Sequence, residues 1–250
     1  MTEGHDATVP GRARPAELTC LRASRRDPRW VRLEGVHALK HAVRFGAEVE
    51  VVVSPDPAAL LALLRRLAPD VTVPVPVRSV DAGTWRALTG RELPSPALAV
   101  AHRPSVTAGD VLAAPGRVVV LEDPRHLGNL GAVVRVAAAG NAGGVLVVGD
   151  ADPWHPTAVR GGAGLQFALP VARSDQLPVV ERPLVALSAD GAPLAPGALA
   201  SDAVLLVGTE RAGLSTALRA RATHTLAIPM RPGVASLNLA TAVAVALYAP

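Results

Sequence analysis

Along the chain, segments whose apolar residues recur with the period of a helix alternate with short apolar segments typical of strands. This alternation predicts an α/β protein. In the first part, stretches with helical spacing alternate with short β-branched runs, which predict strands. The prolines in 71–77 limit that segment to an edge or irregular strand, because proline cannot donate a ladder hydrogen bond. The predicted helices are 34–45, 57–67 and 81–88, and the predicted strands are 48–53, 71–77 and 97–101.

A second α/β series follows segment 103–116, whose Pro, Ser, Thr, Gly and Asp residues predict a linker. Its strands are continuous apolar runs, which are typical of a parallel sheet covered by helices on both faces. The predicted strands are 118–121, 145–148, 184–187, 204–207 and 226–228, and the predicted helices are 130–139, 157–163, 216–221 and 237–247. We therefore expect an α/β fold with a small domain at 29–102 and a larger one at 117–250.

Composition excludes several classes of protein. Hydrophobic residues make up 50% of the 250 residues and charged residues 18%, so the chain can bury a core and is not disordered overall. Cys20 is the only cysteine, which excludes an intramolecular disulfide and suits a reducing cytosol. The longest apolar run, 239–249, is too short for a membrane span of roughly 20 residues. No secretory signal is visible, and we expect a cytoplasmic protein without a membrane partner.

The net charge of +4 is concentrated at one end of the chain. We expect a basic flexible arm at 1–28, which can contact nucleic acid phosphates without reading sequence. A solvated, poorly ordered terminus gives the same pattern, so both interpretations stay open. The arginines that crowd the first 32 residues are Arg12, Arg14, Arg22, Arg25, Arg26, Arg29 and Arg32.

Several common site motifs are absent from the sequence. No G-x-G-x-x-G follows a strand, which argues against a nucleotide-dependent oxidoreductase, and there is no P-loop, G-x-S-x-G or H-E-x-x-H. His37 and His41 stand one helical turn apart, a spacing that can bind a metal ion. The polar face of an amphipathic helix has the same spacing, and we expect no metal site there.

Polar residues follow three predicted strands of the second series, and ligands of open α/β sheets bind outside the carboxyl ends of such strands. After strand 118–121, Asn129 stands where a helix starts, and Arg135 follows on the otherwise apolar helix. A charge there needs a partner or a substrate. After strand 204–207 come Gly208, Glu210 and Gly213, and glycines let a backbone approach a ligand closely.

The third strand, 226–228, leads through an irregular stretch to Ser236 and Asn238 at the start of an almost wholly apolar helix. Serine at a helix start is ordinarily a cap, whereas an amide just inside such a helix must find partners. Each segment taken alone also fits a structural interpretation: a salt-bridged arginine, a loop brace or a helix cap.

Taken together, the three segments resemble the motifs of the SpoU/TrmH family of RNA 2'-O-ribose methyltransferases. The first motif, D-P-x-N-x-G-x-x-x-R, is matched by Asn129, Gly131 and Arg135. The second, G-x-E-x-x-G-[LI], is matched by Gly208, Glu210, Gly213 and Leu214. The third, I-P-M-x-G-x-x-x-S-L-N, is close to Ile228, Pro229, Met230, Gly233, Ser236, Leu237 and Asn238. Segment 33–53 also resembles the substrate-binding domain that many members carry.

The sequence departs from the family pattern at two places. The loop between Pro124 and Asn129 is longer than in the commonest form of the first motif. Segment 160–164 reads RGGAG where relatives often have R-A-S-x-G, so Gly162 stands at a position where serine is usual. A hydroxyl contact to RNA at that position is therefore not expected.

The resemblance implies a trefoil-knotted SPOUT methyltransferase domain at 117–250, preceded by a ribosomal-protein-like RNA-binding domain. It implies methyl transfer from S-adenosylmethionine to a ribose 2'-hydroxyl without a metal, by a homodimer. Ribosomal RNA is favoured over tRNA, because the sequence ends soon after the third motif and carries the N-terminal domain. A tRNA substrate, or a non-catalytic RNA-binding protein on the same fold, is the alternative.

The resemblance also implies the site residues. A guanidinium is always charged, so we expect Arg135 to grip a phosphate and stabilise alkoxide charge rather than act as a base. The implied catalytic residues are Arg135, Asn129, Glu210, Ser236 and Asn238. The implied residues of the methyl-donor site are Leu206, Val207, Gly208, Thr209, Glu210, Gly213, Ile228, Pro229, Met230, Ser236 and Leu237.

Overall fold

The fold is described from a computed structural model of the chain, over residues 11–209, 213–234 and 236–249. The chain forms two compact units that divide between Arg103 and Pro104. Each unit is built around its own β-sheet.

The first unit has a four-stranded sheet in the order β1-β4-β2-β3. The central strand β4 runs antiparallel to β1 and β2, whereas β3 lies at the edge, parallel to β2. The strands are β1 (Trp30–Glu34), β2 (Val49–Ser54), β3 (Val77–Ser79) and β4 (Leu98–His102). The helices are α1 (Pro15–Ala23), α2 (Val36–Arg44), α3 (Pro57–Leu67) and α4 (Ala82–Thr89).

Helix α1 lies in the segment for which the sequence predicts a flexible basic arm. Leu21 of this helix is fully buried and, with Leu18, packs in one apolar cluster with Leu98 of the sheet. The backbone N–H of Ala13 also donates to the Ser79 carbonyl at 3.0 Å. The prediction of a flexible arm is therefore wrong for residues 11–28, because Leu18 and Leu21 give the segment an apolar helical face. Residues 1–10 lie outside the described residues.

One arginine of the basic N-terminal segment is buried. Arg32 exposes 2% of its side chain, and its Nε donates to Glu34 at 3.0 Å. Its guanidinium also donates to the carbonyls of Leu21 and Leu88, and Arg91 donates to the second Glu34 oxygen. Burial by itself raises the pKa of the Glu34 carboxyl, but the bonds and charges of Arg91 and Arg32 outweigh it and hold that pKa below its ordinary value. Arg32 therefore stabilises the first unit.

The second unit has a six-stranded parallel sheet in the order β10-β8-β9-β5-β6-β7. Its strands are β5 (Val118–Glu122), β6 (Gly144–Val148), β7 (Val171–Ser174), β8 (Leu184–Pro193), β9 (Val204–Val207) and β10 (His224–Ala227). Its helices are α5 (Ala108–Ala113), α6 (Leu127–Ala139), α7 (Pro156–Gly161), α8 (Thr216–Ala220) and α9 (Leu239–Tyr248), with a 3₁₀ turn at Leu165–Phe167. The predicted α/β fold with a parallel sheet is confirmed, whereas the trefoil knot stays a prediction.

The core of the second unit explains why its strands are apolar along their whole length. Val120, Leu146 and Leu206 lie on three different strands and belong to one fully buried cluster. Val111 and Leu112 of α5 join the same cluster. The prediction of a linker is therefore wrong for α5, whose apolar residues pack into this core.

Within the described ranges, no helix is long and apolar enough to cross a membrane. The same part of the chain contains no group of three or more His, Cys, Asp or Glu side chains arranged to hold a metal ion.

Candidate active site

A cavity of about 150 Å³ opens where β9 and β10 end, beside the outer part of β8. This is the edge of a parallel sheet at which ligands bind. The wall is mostly apolar, with backbone exposed at two glycines, and such a lining suits a flat heterocycle that needs a few hydrogen bonds. The predicted donor-site residues in the wall are Val207, Gly208, Thr209, Gly213, Ile228, Met230, Ser236 and Leu237.

Three other residues predicted for the donor site are not in the described wall. Leu206 is fully buried in the core of the sheet, so only its backbone could reach a ligand. Pro229 is exposed between two lining residues. Glu210 lies outside the described residues. The sequence motifs did not include the lining residues of β8, β10 and α9, which are Leu187, Ser188, Ala189, Leu226, Leu239 and Ala242.

The second motif closes on itself at the cavity through an antiparallel backbone bridge between Thr209 and Gly213, which we call the crossing. The N–H of Thr209 donates to the Gly213 carbonyl at 3.1 Å, and the N–H of Gly213 donates back to the Thr209 carbonyl at 3.0 Å. A Cβ at Gly208 would lie 2.0 Å from the carbonyl carbon of Gly213. Gly213 itself has a φ of +67°, which favours glycine. Both motif glycines are therefore required by the path of the backbone.

A carboxylate at the end of β5 holds the segment that follows this crossing. Glu122 accepts hydrogen bonds from the backbone N–H of Ser215 at 2.7 Å and from its hydroxyl at 2.6 Å. The Ser215 hydroxyl in turn accepts from the Leu218 N–H at 3.1 Å and caps α8. Glu122 thus links the first motif segment to the second. A charged residue at the end of an apolar strand is the sequence signal that marks it.

Two asparagines join the first motif to the third. The Asn238 side chain donates to the Oδ1 of Asn129 at 3.3 Å, and its own Oδ1 accepts from the backbone N–H groups of Ala240 and Thr241. These backbone bonds fix the amide orientation, because only the oxygen can accept. Asn238, and not Ser236, is the N-cap of α9.

Helix α6 begins at Leu127, with His126 as its N-cap residue. Asn129, expected at the helix start, therefore lies within the first turn, because the lengthened loop of the first motif supplies additional helical residues. Gly131 faces α7, where a Cβ would lie 2.1 Å from the Ala158 carbonyl oxygen. The glycine of the first motif thus permits close packing of two helices.

Arg135 is exposed on α6, and none of the described residues forms a hydrogen bond or an ion pair with its side chain. The guanidinium has five N–H donors, so the described part of the chain leaves them available to a substrate. The structure brings Asn129 and Asn238 together but does not place Arg135 in the described cavity wall.

The unusual Gly162 also has a structural counterpart. The side chain of Gln166 is almost fully buried beside it, and a Cβ on Gly162 would lie 2.7 Å from the Gln166 Oε1. The Gln166 amide donates to the Pro153 carbonyl at 3.4 Å. The glutamine occupies the space that a serine side chain at position 162 would need.

This α/β protein has a cavity at the carboxyl edge of its sheet, and comparison with known proteins identifies its family. The model of the SpoU rRNA Methylase family matches residues 116–248. The chain therefore belongs to the SpoU rRNA methylase family, as its three motifs indicate.

Two curated relatives match over most of their length. The 23S rRNA (guanosine(2553)-2'-O)-methyltransferase RlmP of Bacillus subtilis is 28% identical over 228 residues, covering 86% of this chain and 86% of that protein. A 23S rRNA (adenosine(1067)-2'-O)-methyltransferase of Streptomyces azureus is 29% identical over 250 residues, covering 92% and 89%. The crystal structure of the SpoU methyltransferase AviRb from Streptomyces viridochromogenes, in complex with AdoMet, has a TM-score of 0.74 and 25% identity, covering 94% of this chain and 96% of that one.

Proposed function

We propose that this protein transfers a methyl group from S-adenosylmethionine to a ribose 2'-hydroxyl of ribosomal RNA. The observation that carries the proposal is the cavity: in a chain of this family, the second and third motif segments form most of its wall. The names of the relatives, which are 23S rRNA 2'-O-methyltransferases, support the substrate. The AdoMet complex of AviRb supports the methyl donor.

The residues of the cavity fit S-adenosylmethionine. Val207, Ile228 and Leu239 offer apolar walls to an adenine ring, and Gly208 and Gly213 leave backbone polar groups unobstructed by side chains. S-adenosylmethionine supplies a methyl group that its sulfonium already activates, so this reaction requires no metal ion.

The reaction joins the ribose 2'-oxygen to the methyl carbon while the bond between that carbon and the sulfur breaks, which leaves S-adenosylhomocysteine, and the hydroxyl proton passes to solvent water. A guanidinium is a cation with no lone pair to accept a proton, so the role of Arg135 is to hold the RNA phosphate beside the target ribose and to stabilise negative charge on the 2'-oxygen. The linked amides of Asn129 and Asn238 orient the ribose. Ser236 lines the cavity. The catalytic roles of Ser236 and Glu210 are those that the family resemblance implies.

The first unit binds the RNA in this proposal. Its exposed arginines can neutralise phosphates without reading bases, and its few aromatic side chains offer little surface for base stacking. We expect RNA affinity to fall steeply with salt concentration. Exposed arginines suited to this contact are Arg22, Arg26, Arg65, Arg66 and Arg86. The target base is not carried over, since one relative is named for a guanosine and another for an adenosine.

The proposal is completed by a homodimer that works in the cytoplasm. Helix α9 exposes 40% of Val245 and 64% of Tyr248, and Leu237 before it is 37% exposed. A second copy of the chain would cover this apolar face. In light scattering after size exclusion, Val245→Asp is expected to shift the protein toward monomer, whereas Val179→Asp, at a position that is 95% exposed, is expected to leave the mass unchanged. A wild-type monomer would contradict the dimer.

The proposed function is tested by methyl transfer from labelled S-adenosylmethionine to total RNA and to isolated ribosomal subunits, using wild type and Arg135→Ala. We expect label in ribosomal RNA, reduced roughly 10²- to 10³-fold in the variant, as for loss of a donor that stabilises transition-state charge. Label confined to tRNA would overturn the assignment to ribosomal RNA. Donor binding without label on any of these RNAs would point to a different substrate or an assembly intermediate, whereas the absence of both label and donor binding would favour the non-catalytic alternative.

A further inference from the structure

One wall of the cavity is a bulge in β8. The pairing of β8 with β10 passes from Ala186 to Ala192 while β10 advances by a single residue, from Thr225 to Leu226. The residues between them, 187–191, leave the ladder, and 187–189 line the cavity. Bulges beside binding sites turn side chains in directions that a regular strand does not allow.

The bulge is fixed by a hydrogen-bond network on its side chains. The Ser188 hydroxyl donates to the Asp190 Oδ1 at 2.6 Å, and Arg219 of α8 donates to the same carboxylate oxygen. Arg219 also donates to the Ser188 Oγ at 3.3 Å. The hydrogen bond from Ser188, and then that from Arg219, hold the pKa of the Asp190 carboxyl below its ordinary value. Asp190 is therefore ionised at neutral pH and can only accept.

This network determines what Ser188 can offer to a ligand. A hydroxyl has one proton and two lone pairs. Its proton is engaged by Asp190 and one lone pair by Arg219, so within the described structure only a lone pair remains for the cavity. Ser188 can then accept a hydrogen bond from a ligand but cannot donate one.

We infer that Ser188 contacts the nucleoside half of the methyl donor by accepting a hydrogen bond from it, with Asp190 and Arg219 as positioning residues. The inference rests on the proposed function of the cavity. Ser188 stands between Leu187 and Ala189 in the cavity wall, and the two charges that it contacts, Asp190 and Arg219, are paired with each other. A neutral acceptor in such a setting suits an uncharged donor group rather than the ammonium of the methionine half. The nucleoside has two kinds of such groups, the ribose hydroxyls and the exocyclic amino group of adenine.

The test measures binding of S-adenosylhomocysteine by calorimetry to wild type, Ser188→Ala and the control Ser174→Ala. Ser174 lies at the end of β7, on the opposite edge of the sheet, and donates to the Gln176 carbonyl. Loss of one hydrogen bond is expected to weaken binding to Ser188→Ala roughly 3- to 10-fold and to leave Ser174→Ala unchanged. Wild type that does not bind would contradict the proposed function itself. Wild-type affinity in Ser188→Ala would overturn this inference alone.

Analogues identify the partner group. They are S-adenosylhomocysteine with a 2'- or 3'-deoxyribose, and the form with hydrogen in place of the adenine amino group. With the analogue that lacks the donating group, wild type is expected to lose the same factor and Ser188→Ala to lose nothing further. If Ser188→Ala weakens binding of the parent and of every analogue equally, Ser188 only supports the fold and the inference is wrong.

The positioning role has its own measurement. Asp190→Ala is expected to raise the KM for S-adenosylmethionine by about the factor seen for Ser188→Ala, with kcat at saturating donor unchanged. The double variant Ser188→Ala/Asp190→Ala is expected to have the same KM as either single variant, because each substitution removes the same contact. An additive double variant, or a loss of kcat at unchanged KM, would overturn the positioning role.

Discussion

An alanine at position 208 would place its methyl group 2.0 Å from the carbonyl carbon of Gly213 and 2.2 Å from the backbone nitrogen of Leu214. Both atoms belong to the backbone, so no side-chain rotation relieves the overlap and the crossing must open. Opening breaks the two hydrogen bonds between Thr209 and Gly213. The perturbation therefore acts on the shape of the cavity wall.

The size of the effect follows from those two bonds. Each contributes a net ~0.5–1.5 kcal/mol, so the loss of both costs about 1–3 kcal/mol. The crossing lies beyond the buried part of β9, and we expect the cost to appear in donor affinity more than in global stability. It corresponds to a roughly 5- to 150-fold weaker Kd for S-adenosylmethionine.

The assay is calorimetric titration of S-adenosylmethionine into wild type and Gly208→Ala, with thermal unfolding recorded in parallel. Gly109→Ala is the matched control, since a Cβ at this position of α5 would lie 3.5 Å from the Thr107 hydroxyl oxygen, an ordinary van der Waals contact. The control is expected to bind as wild type does. If Gly208→Ala also binds like wild type, the crossing does not shape the donor site and the reasoning is refuted.

Two further carboxylates carry predictions. Glu122→Gln replaces one of the two carboxylate oxygens that accept from Ser215 by an amide NH₂ group, and we expect the affinity for S-adenosylmethionine to fall roughly 3- to 10-fold. The exposed-site control Glu181→Gln is expected to bind as wild type does. Equal affinities of Glu122→Gln and wild type would contradict a role of the Glu122–Ser215 bonds in shaping the cavity. Glu34→Gln breaks a buried ion pair, and denaturant unfolding is expected to show a loss of roughly 3 kcal/mol at neutral pH. The pKa of Glu34 is lower in the folded than in the unfolded state, so its stabilisation is present above the unfolded-state pKa and is lost as pH falls through the folded-state pKa. The free energies of unfolding of wild type and Glu34→Gln are therefore expected to become equal in acid. A difference between them that is constant with pH would contradict this.

Local pattern was sufficient for elements whose signals are local. Helix α3 covers Pro57–Leu67, the predicted residues, because proline starts it and leucines recur at helical spacing. Strand β1 went unpredicted because its central Arg32 is buried, and the groups that permit this include the carbonyl of the distant Leu88. Strand β7 is a four-residue edge strand containing Arg173, which gives little apolar pattern.

The residues of the candidate site also fall into those that a local motif predicts and those that only the fold brings together. Motif positions such as Gly208 and Gly213 could be predicted because their spacing within a single loop has a backbone reason. The bond between Glu122 and Ser215 joins residues 93 apart in sequence, so no local pattern contains it. Ser188 enters the cavity through a bulge in pairing with β10, which only the folded sheet shows.

Analysis of the methylated product tests directly where the methyl group goes and whether Arg135 governs its transfer. Wild type, Arg135→Lys and Arg135→Ala are incubated with ribosomal RNA and methyl-labelled S-adenosylmethionine, and the RNA is digested to nucleosides. We predict label in a 2'-O-methylated nucleoside for wild type and strongly reduced label for both variants at unchanged donor affinity, because lysine cannot reproduce the two-pronged guanidinium contact. Label on a base, or a wild-type rate in Arg135→Lys, would contradict the account.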